Sequence, residues 1–304
     1  MEKKKGKKGI VIAAVVMLAI VIGAIVFLNL NKKKVYRLLK IYEVEGKANV
    51  SREDTGNIEP YENMVLESGD KVSLETGKLT IKADEDKYIY LEDDTELVLV
   101  AEGDSNNSKT SIDLLSGAIT NDIQNKLSSE SSYEINTPNS TMSVRGTIYR
   151  VCVYEIDGVK YTKVSVFEGE VVTRLKYADG TYSDEEVSVT KGKEVIIYDD
   201  GNKIDYVSEP KEIDYSELPE KVLKILEIKV EDDRDIPVTP EEIERILNGP
   251  FTVIFNYQGS EFGRQTVEKN GNAVTPKLSP SGSGSWDFDF STPIEKDTNI
   301  EWKQ

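Results

Sequence analysis

The sequence predicts a mainly β protein, and three observations lead there. From residue 35 to 206, short runs that alternate apolar and polar residues are separated by Gly- and Asp-rich turns about every ten to fifteen residues, the spacing of an all-β sandwich, roll or short solenoid. Helical periodicity with proline appears only between residues 207 and 249. Near the N-terminus, Gly9 to Leu28 forms one uncharged apolar run. The expected order is therefore a short tail (1–8), an apolar helix (9–30), an all-β domain (35–206), a short helical linker (207–249) and a small C-terminal β module (250–304).

The apolar run, taken as a helix, is about 30 Å long, the thickness of a bilayer's hydrocarbon core. Asn29-Leu30-Asn31-Lys32 offers no small-residue cleavage site after it. An uncleaved, single-span signal anchor is the expectation. Five lysines precede it and Lys32, Lys33, Lys34, Arg37 and Lys40 follow, so charge does not set its orientation. The tail is too short to fold or to bind much, which places it in the cytoplasm and the bulk of the chain outside.

Composition narrows the function. With 304 residues, 38% hydrophobic and 31% charged, the chain holds two or three globular pieces. Of its 38 basic and 55 acidic residues, eight lysines and one glutamate lie in residues 1–34, which leaves a charge of −24 on the rest. A body this acidic repels nucleic acid and anionic lipid, and both are set aside as partners. There is no histidine, so Ser-His and Cys-His catalysis is excluded. Cys152, the single cysteine, sits in an alternating strand and reads as a packed thiol. The acidic clusters at 84–86, 92–94, 199–200 and 231–233 lack EF-hand spacing. No enzyme, metal site or cofactor is expected.

Within the β domain, Lys71–Leu74 and Lys78–Ile81 flank Glu75-Thr76-Gly77, and Tyr88–Leu91 meets Thr95–Leu99 across Glu92-Asp93-Asp94; both read as hairpins. Asp157-Gly158 marks another, with Glu168-Gly169 and Asp179-Gly180 as further turns. The densest stretch runs from Tyr133 to Leu175. Pro138 removes a backbone donor and marks a strand edge, while Gly146 permits a backbone that a side chain would forbid. Thr137, Asn139, Arg145, Gly146 and Thr147 are the candidate ligand-binding residues. Arg145 could present a bidentate fork to a carboxylate or phosphate, or lock its own turn. Thr137, Asn139 and Thr147 could equally satisfy turn backbone.

Asn136-Thr137-Pro138-Asn139 followed by Ser143-Val144-Arg145-Gly146-Thr147-Ile148-Tyr149 resembles the signature of the FecR domain. The resemblance extends to Leu66-Glu67-Ser68-Gly69-Asp70, Leu115–Ile119, Val166–Val171 and Val189–Lys193. It implies a FecR-like β sandwich or roll and, in family members that act on sigma factors, a regulatory role.

In the linker, Leu218, Val222, Ile225 and Leu226 share one helical face, with Ser216 as the expected cap. Thr239-Pro240-Glu241-Glu242 has capping-box spacing before a second helix that stops at Gly249. The opening Phe251-Thr252-Val253-Ile254-Phe255, the Gln265–Gly271 step, the Phe288–Pro293 run and the terminal Trp302 resemble the Listeria/Bacteroides (internalin B-type) repeat, which implies a small β-grasp-like surface module. Together these readings give a membrane-anchored, extracytoplasmic, non-catalytic binding or scaffold protein of the cell envelope, engaging a surface protein or wall polymer. The alternative is a transmembrane signalling regulator, a FecR-type sensor acting through a membrane partner.

Overall fold

The computed structural model describes residues 38–103, 107–144, 146–177, 179–198 and 206–304. Fifteen strands form one sheet folded on itself. In chain order they are β1 (Leu39–Arg52), β2 (Gly56–Ile58), β3 (Lys71–Ala83), β4 (Lys87–Leu91), β5 (Thr95–Gly103), β6 (Ser108–Ile123), β7 (Ser132–Asn136), β8 (Ser140–Val144), β9 (Ile148–Ile156), β10 (Val159–Glu168), β11 (Glu170–Leu175), β12 (Val187–Thr190), β13 (Lys193–Tyr198), β14 (Tyr206–Val207) and β15 (Lys211–Glu212).

The fold turns on one corner. Strands β1 and β3 are long and pass through it with Gly46 opposite Gly77, both at positive φ. Their backbones meet so closely that a Cβ on Gly77 would lie 2.2 Å from the carbonyl oxygen of Glu45, a position only glycine can occupy. The expected hairpin at Glu75-Thr76-Gly77 is therefore a bend inside a single strand. The second expected hairpin is also corrected. Strand β4 pairs with the 79–83 half of β3 and β5 with the 71–74 half, so the chain at 92–94 crosses the corner and does not join two paired strands. Both then pair with opposite ends of β6. Alternating side chains from both halves, among them Ile41, Leu74, Ile81, Ile89, Leu97 and Ile112, close a fully buried core, each contributing about 1.5–3 kcal/mol of transfer free energy. Strands β9 and β10 do form the hairpin expected at Asp157-Gly158, with φ of 51° and 81°, the left-handed pair that a two-residue turn requires.

Two helices follow, α1 (Glu220–Glu231) and α2 (Pro240–Asn248). Ser216 does not cap α1. Asp214 accepts hydrogen bonds from the Ser216 backbone and hydroxyl and winds Tyr215–Glu217 into a short 3-10 turn, so the helix begins only after Pro219. The capping box at Thr239 and Glu242 forms on both sides, and Gly249 ends α2. Ile213, Leu218, Val222, Leu226, Ile243 and Leu247 of this segment pack on Ile148 and Phe167 of the sheet.

The last segment is a separate sheet of β16 (Phe251–Tyr257), β17 (Ser260–Val267), β18 (Ser285–Trp286) and β19 (Thr298–Lys303), ordered β17-β16-β19-β18 with β16 and β19 parallel. No helix lies within residues 250–304. Its own core gathers Phe251, Val253, Phe255, Trp286, Ile294 and Ile300.

The mainly β expectation holds, with 54% of the described residues in strands against 9% in helices. The membrane-spanning helix is corrected: among the described residues no helix is long and apolar enough to cross a membrane. Residues 9–30, where it was expected, lie outside the described residues.

Candidate functional site: the signature corner and its helical cover

The Thr-Pro-Asn step closes on itself. Thr137, Asn139, Ser140 and Thr162 are buried. The Thr162 hydroxyl lies 2.6 Å from Asn139 Oδ1 and 2.9 Å from Thr137 Oγ1, which is itself 2.9 Å from Ser140 Oγ. Asn139 Nδ2 donates to the carbonyl oxygens of Lys160 (2.9 Å) and Ile197 (3.1 Å). One side-chain amide thus ties the β7–β8 corner to β10 and β13. These polar groups satisfy one another in a water-poor interior, where an unpaired group would be costly. Each of these groups already has a protein partner within the network.

Gly146 and Thr147 sit on the next turn, apart from that network. Gly146 has φ +77° with Lys126 against its open side. Thr147 is buried, and its carbonyl accepts a hydrogen bond from the Ile123 backbone (3.0 Å). Gly169 packs over both: a Cβ there would meet the Gly146 oxygen and the Thr147 methyl at 2.9 Å. Arg145 lies outside the described residues.

Directly beyond this turn the sheet carries a buried carboxylate that sequence reasoning missed. Asp122, on β6 opposite Ile148, is fully buried. Its partners come from the helical segment: Lys229 Nζ stands 2.8 Å from Oδ2 at ion-pair distance, and Arg234 donates to Oδ1 at 3.0 Å. Arg234 also reaches Glu168, at 2.7 Å through Nε and 2.6 Å through its terminal nitrogen. A third contact pins the start of α1. Lys221 Nζ donates to Asp93 Oδ1 and to the Gly77 carbonyl, both at 2.6 Å, and Asp93 accepts from the Gly77 N–H. The bond from Lys221 holds the Asp93 carboxyl below its ordinary value. One signal for Asp122 was available: an acid in a strand register otherwise filled by buried side chains.

Arg150 makes a bidentate pair with Glu92 at 2.6 and 2.8 Å. Burial pushes the thiol of Cys152 up, which fits a packed rather than a nucleophilic sulfur. A cleft of about 960 Å³ separates the helices from the C-terminal module, with Leu223, Ile246, Phe251 and Phe288 in its lining. Its three cations are each paired across it: Arg245 with Asp297 (3.1 Å), Lys296 with Glu217 (2.8 Å) and Lys269 with Glu220 (3.8 Å). Beside the signature turn, Ile148 and Phe167 form an apolar centre that the helical segment covers, with Lys229 and Arg234 set against Asp122 and Glu168 at its edge.

Residues 70–172 match the family model described as FecR protein. No curated protein matches the chain. Among solved structures, two crystal structures of a protein described as an anti-sigma factor from Parabacteroides distasonis, at 1.65 and 2.50 Å resolution, are similar to it at 11% identity and a TM-score of 0.38, covering 77% of this chain and 98% of theirs. A likeness that distant carries no functional argument.

Proposed function

We propose that this chain is a non-catalytic signalling regulator of FecR type that works by protein contact. The observation that carries the reading is the family match over residues 70–172, which spans the corner at Gly77, the Thr-Pro-Asn network and the signature turn. The structure adds physical support. The polar side chains of the Thr-Pro-Asn step are spent on holding strands together, and the adjoining face of the sheet packs a helical segment. This reading takes precedence over the envelope scaffold, which had the β domain and the C-terminal module together engage a surface protein or wall polymer. We read that module as a Listeria/Bacteroides-type repeat that adds a second contact surface. Placement of the body outside the cytoplasm and a partner in the signalling apparatus belong to the same reading.

The test is a deletion of the gene with transcript profiling, followed by complementation. A regulator predicts a confined set of transcripts that shifts on deletion and returns with the wild-type gene. Lysine-reactive crosslinking of intact cells should then recover a sigma-linked or membrane signalling protein. An unchanged transcript profile under conditions where the protein is made, with only wall polymer captured, would overturn it.

A further inference from the structure

The C-terminal module meets the rest of the chain without sharing a core with it. Leu218, Val222, Leu226, Ile243 and Leu247 of the helical cover pack on the sheet, and Phe251, Val253, Phe255 and Ile300 of the module pack on one another. Between the two lies the cleft of about 960 Å³, with Leu223 and Ile246 on one wall and Phe251 and Phe288 on the other. The covalent join is Gly249-Pro250, and Gly249 has φ +74°, a backbone state that glycine enters without strain.

Three ion pairs reach across. Arg245 of α2 meets Asp297 at 3.1 Å, Glu217 meets Lys296 at 2.8 Å, and Glu220 meets Lys269 at 3.8 Å. Their six side chains are 32–57% exposed. Asp297 is fixed to the module, because Oδ1 accepts from the Thr252 backbone N–H at 2.7 Å while Oδ2 faces Arg245. Glu220 also pairs with Lys224 on its own helix at 2.6 Å, so the Lys269 contact is the loosest of the three.

A large apolar interface fixes the angle between two units, whereas units without one move relative to each other. Exposed ion pairs hold such an angle only loosely, and their reach in solution falls from about 30 Å at 0.01 M salt to about 3 Å at 1 M.

We propose that Gly249-Pro250 is a hinge about which the C-terminal module swings against the helical cover, with Arg245–Asp297, Lys296–Glu217 and Lys269–Glu220 as an ionic strap that closes the cleft at low ionic strength and releases it at high. When the strap is screened, the two walls part and both cores stay intact. This motion goes beyond the regulatory reading and does not depend on it.

The test uses the full-length chain carrying Cys152→Ser, Glu244→Cys and Glu295→Cys, with a nitroxide label on each new thiol and the distance between the labels read by pulsed electron spin resonance. Glu244 and Glu295 are both exposed and stand outside the strap. At about 0.01 M NaCl one short distance should dominate, and at about 1 M the ratio of short to long distances should fall on the order of tenfold. Glu217→Lys combined with Arg245→Glu, both on the helical side, should give the long distance already at low salt. In a chain with Glu217→Lys alone, adding Lys296→Glu should restore the short one. Trp286 and Trp302, the two tryptophans of the chain, both lie in the module, so unchanged tryptophan emission shows that the module stays folded while it moves. A distance distribution that is equal or shorter at high salt, or that the double reversal leaves as it was, overturns the proposal. If a charge-reversed chain fails to fold, the salt series on the labelled chain decides alone.

Discussion

Asn139 joins three strands through a single amide, accepting from Thr162 and donating to the carbonyls of Lys160 and Ile197. Asn139→Ala removes both donors and strands two buried acceptors and a hydroxyl, so it should lower stability by about 2–4 kcal/mol. Thr162→Val, which removes one hydroxyl of similar shape, should cost about 1 kcal/mol. Urea unfolding of the two variants checks this, and an Asn139→Ala midpoint equal to wild type would show the network to be ornamental. Gly169 and Gly158 offer a second comparison, since both have φ +81°. An alanine at Gly158 has open space around it and should cost about 1 kcal/mol of left-handed strain, whereas an alanine at Gly169 also collides with the signature turn and should cost clearly more in the same assay. Sequence alone suggests Thr137 and Asn139 as turn residues, because Thr and Asn beside proline satisfy turn backbone. It does not show their partners, which lie 23 and 58 residues from Asn139 along the chain. Side-chain chemistry is local in sequence, but a β network is not.

At the level of elements the same limit recurs. The capping box at Thr239 is legible because its two halves are three residues apart, and Thr239→Ala should cost about 1 kcal/mol, read as faster hydrogen exchange in the first turn of α2. The start of α1 is misread from sequence because two local signals compete. Asp214 captures Ser216 into a 3-10 turn, and Pro219 sets the true beginning. The hairpins around Gly77 and residues 92–94 fail for a different reason: turn residues announce that a strand bends or ends, not which strand it pairs with. The corner also sets a pH response. Asp93 is held below its ordinary value by Lys221, so its contribution to pinning α1 is complete above the unfolded-state value of about 3.9 and is lost as pH falls through the depressed folded value. Exchange protection of the first turn of α1 should accordingly be flat from neutral pH to about 5 and fall below about 4. Asp93→Asn should give low protection at every pH. A wild-type helix whose protection is unchanged at the acid end would remove Asp93 from the pinning role.

Across the whole molecule, the three cores are not equally separate. The helical cover shares Ile148 and Phe167 with the folded-over sheet, so sheet and cover form one cooperative unit. The C-terminal module buries Phe251, Phe255, Trp286 and Ile300 among its own residues and takes nothing from either neighbour. What crosses to it includes the exposed pairs Arg245–Asp297 and Lys296–Glu217, with every side chain more than half exposed. Pairs of that kind contribute about 0–1 kcal/mol and are screened by salt. Gly249-Pro250 both ends a helix and cannot continue one, which is a local signal in the sequence, while the folding of β3 and β6 across two layers leaves no such signal. A chain ended at residue 249 should therefore keep the main calorimetric transition of the full-length chain within a few degrees, and the full-length chain should show a second, smaller transition that disappears with the truncation. A module of that size buries too little apolar surface to be more than marginally stable alone, which places the smaller transition at the lower temperature. Loss of the main transition on truncation would mean instead that the module is part of the fold of the main body, and that the paired cations of the cleft count for more than their exposure allows.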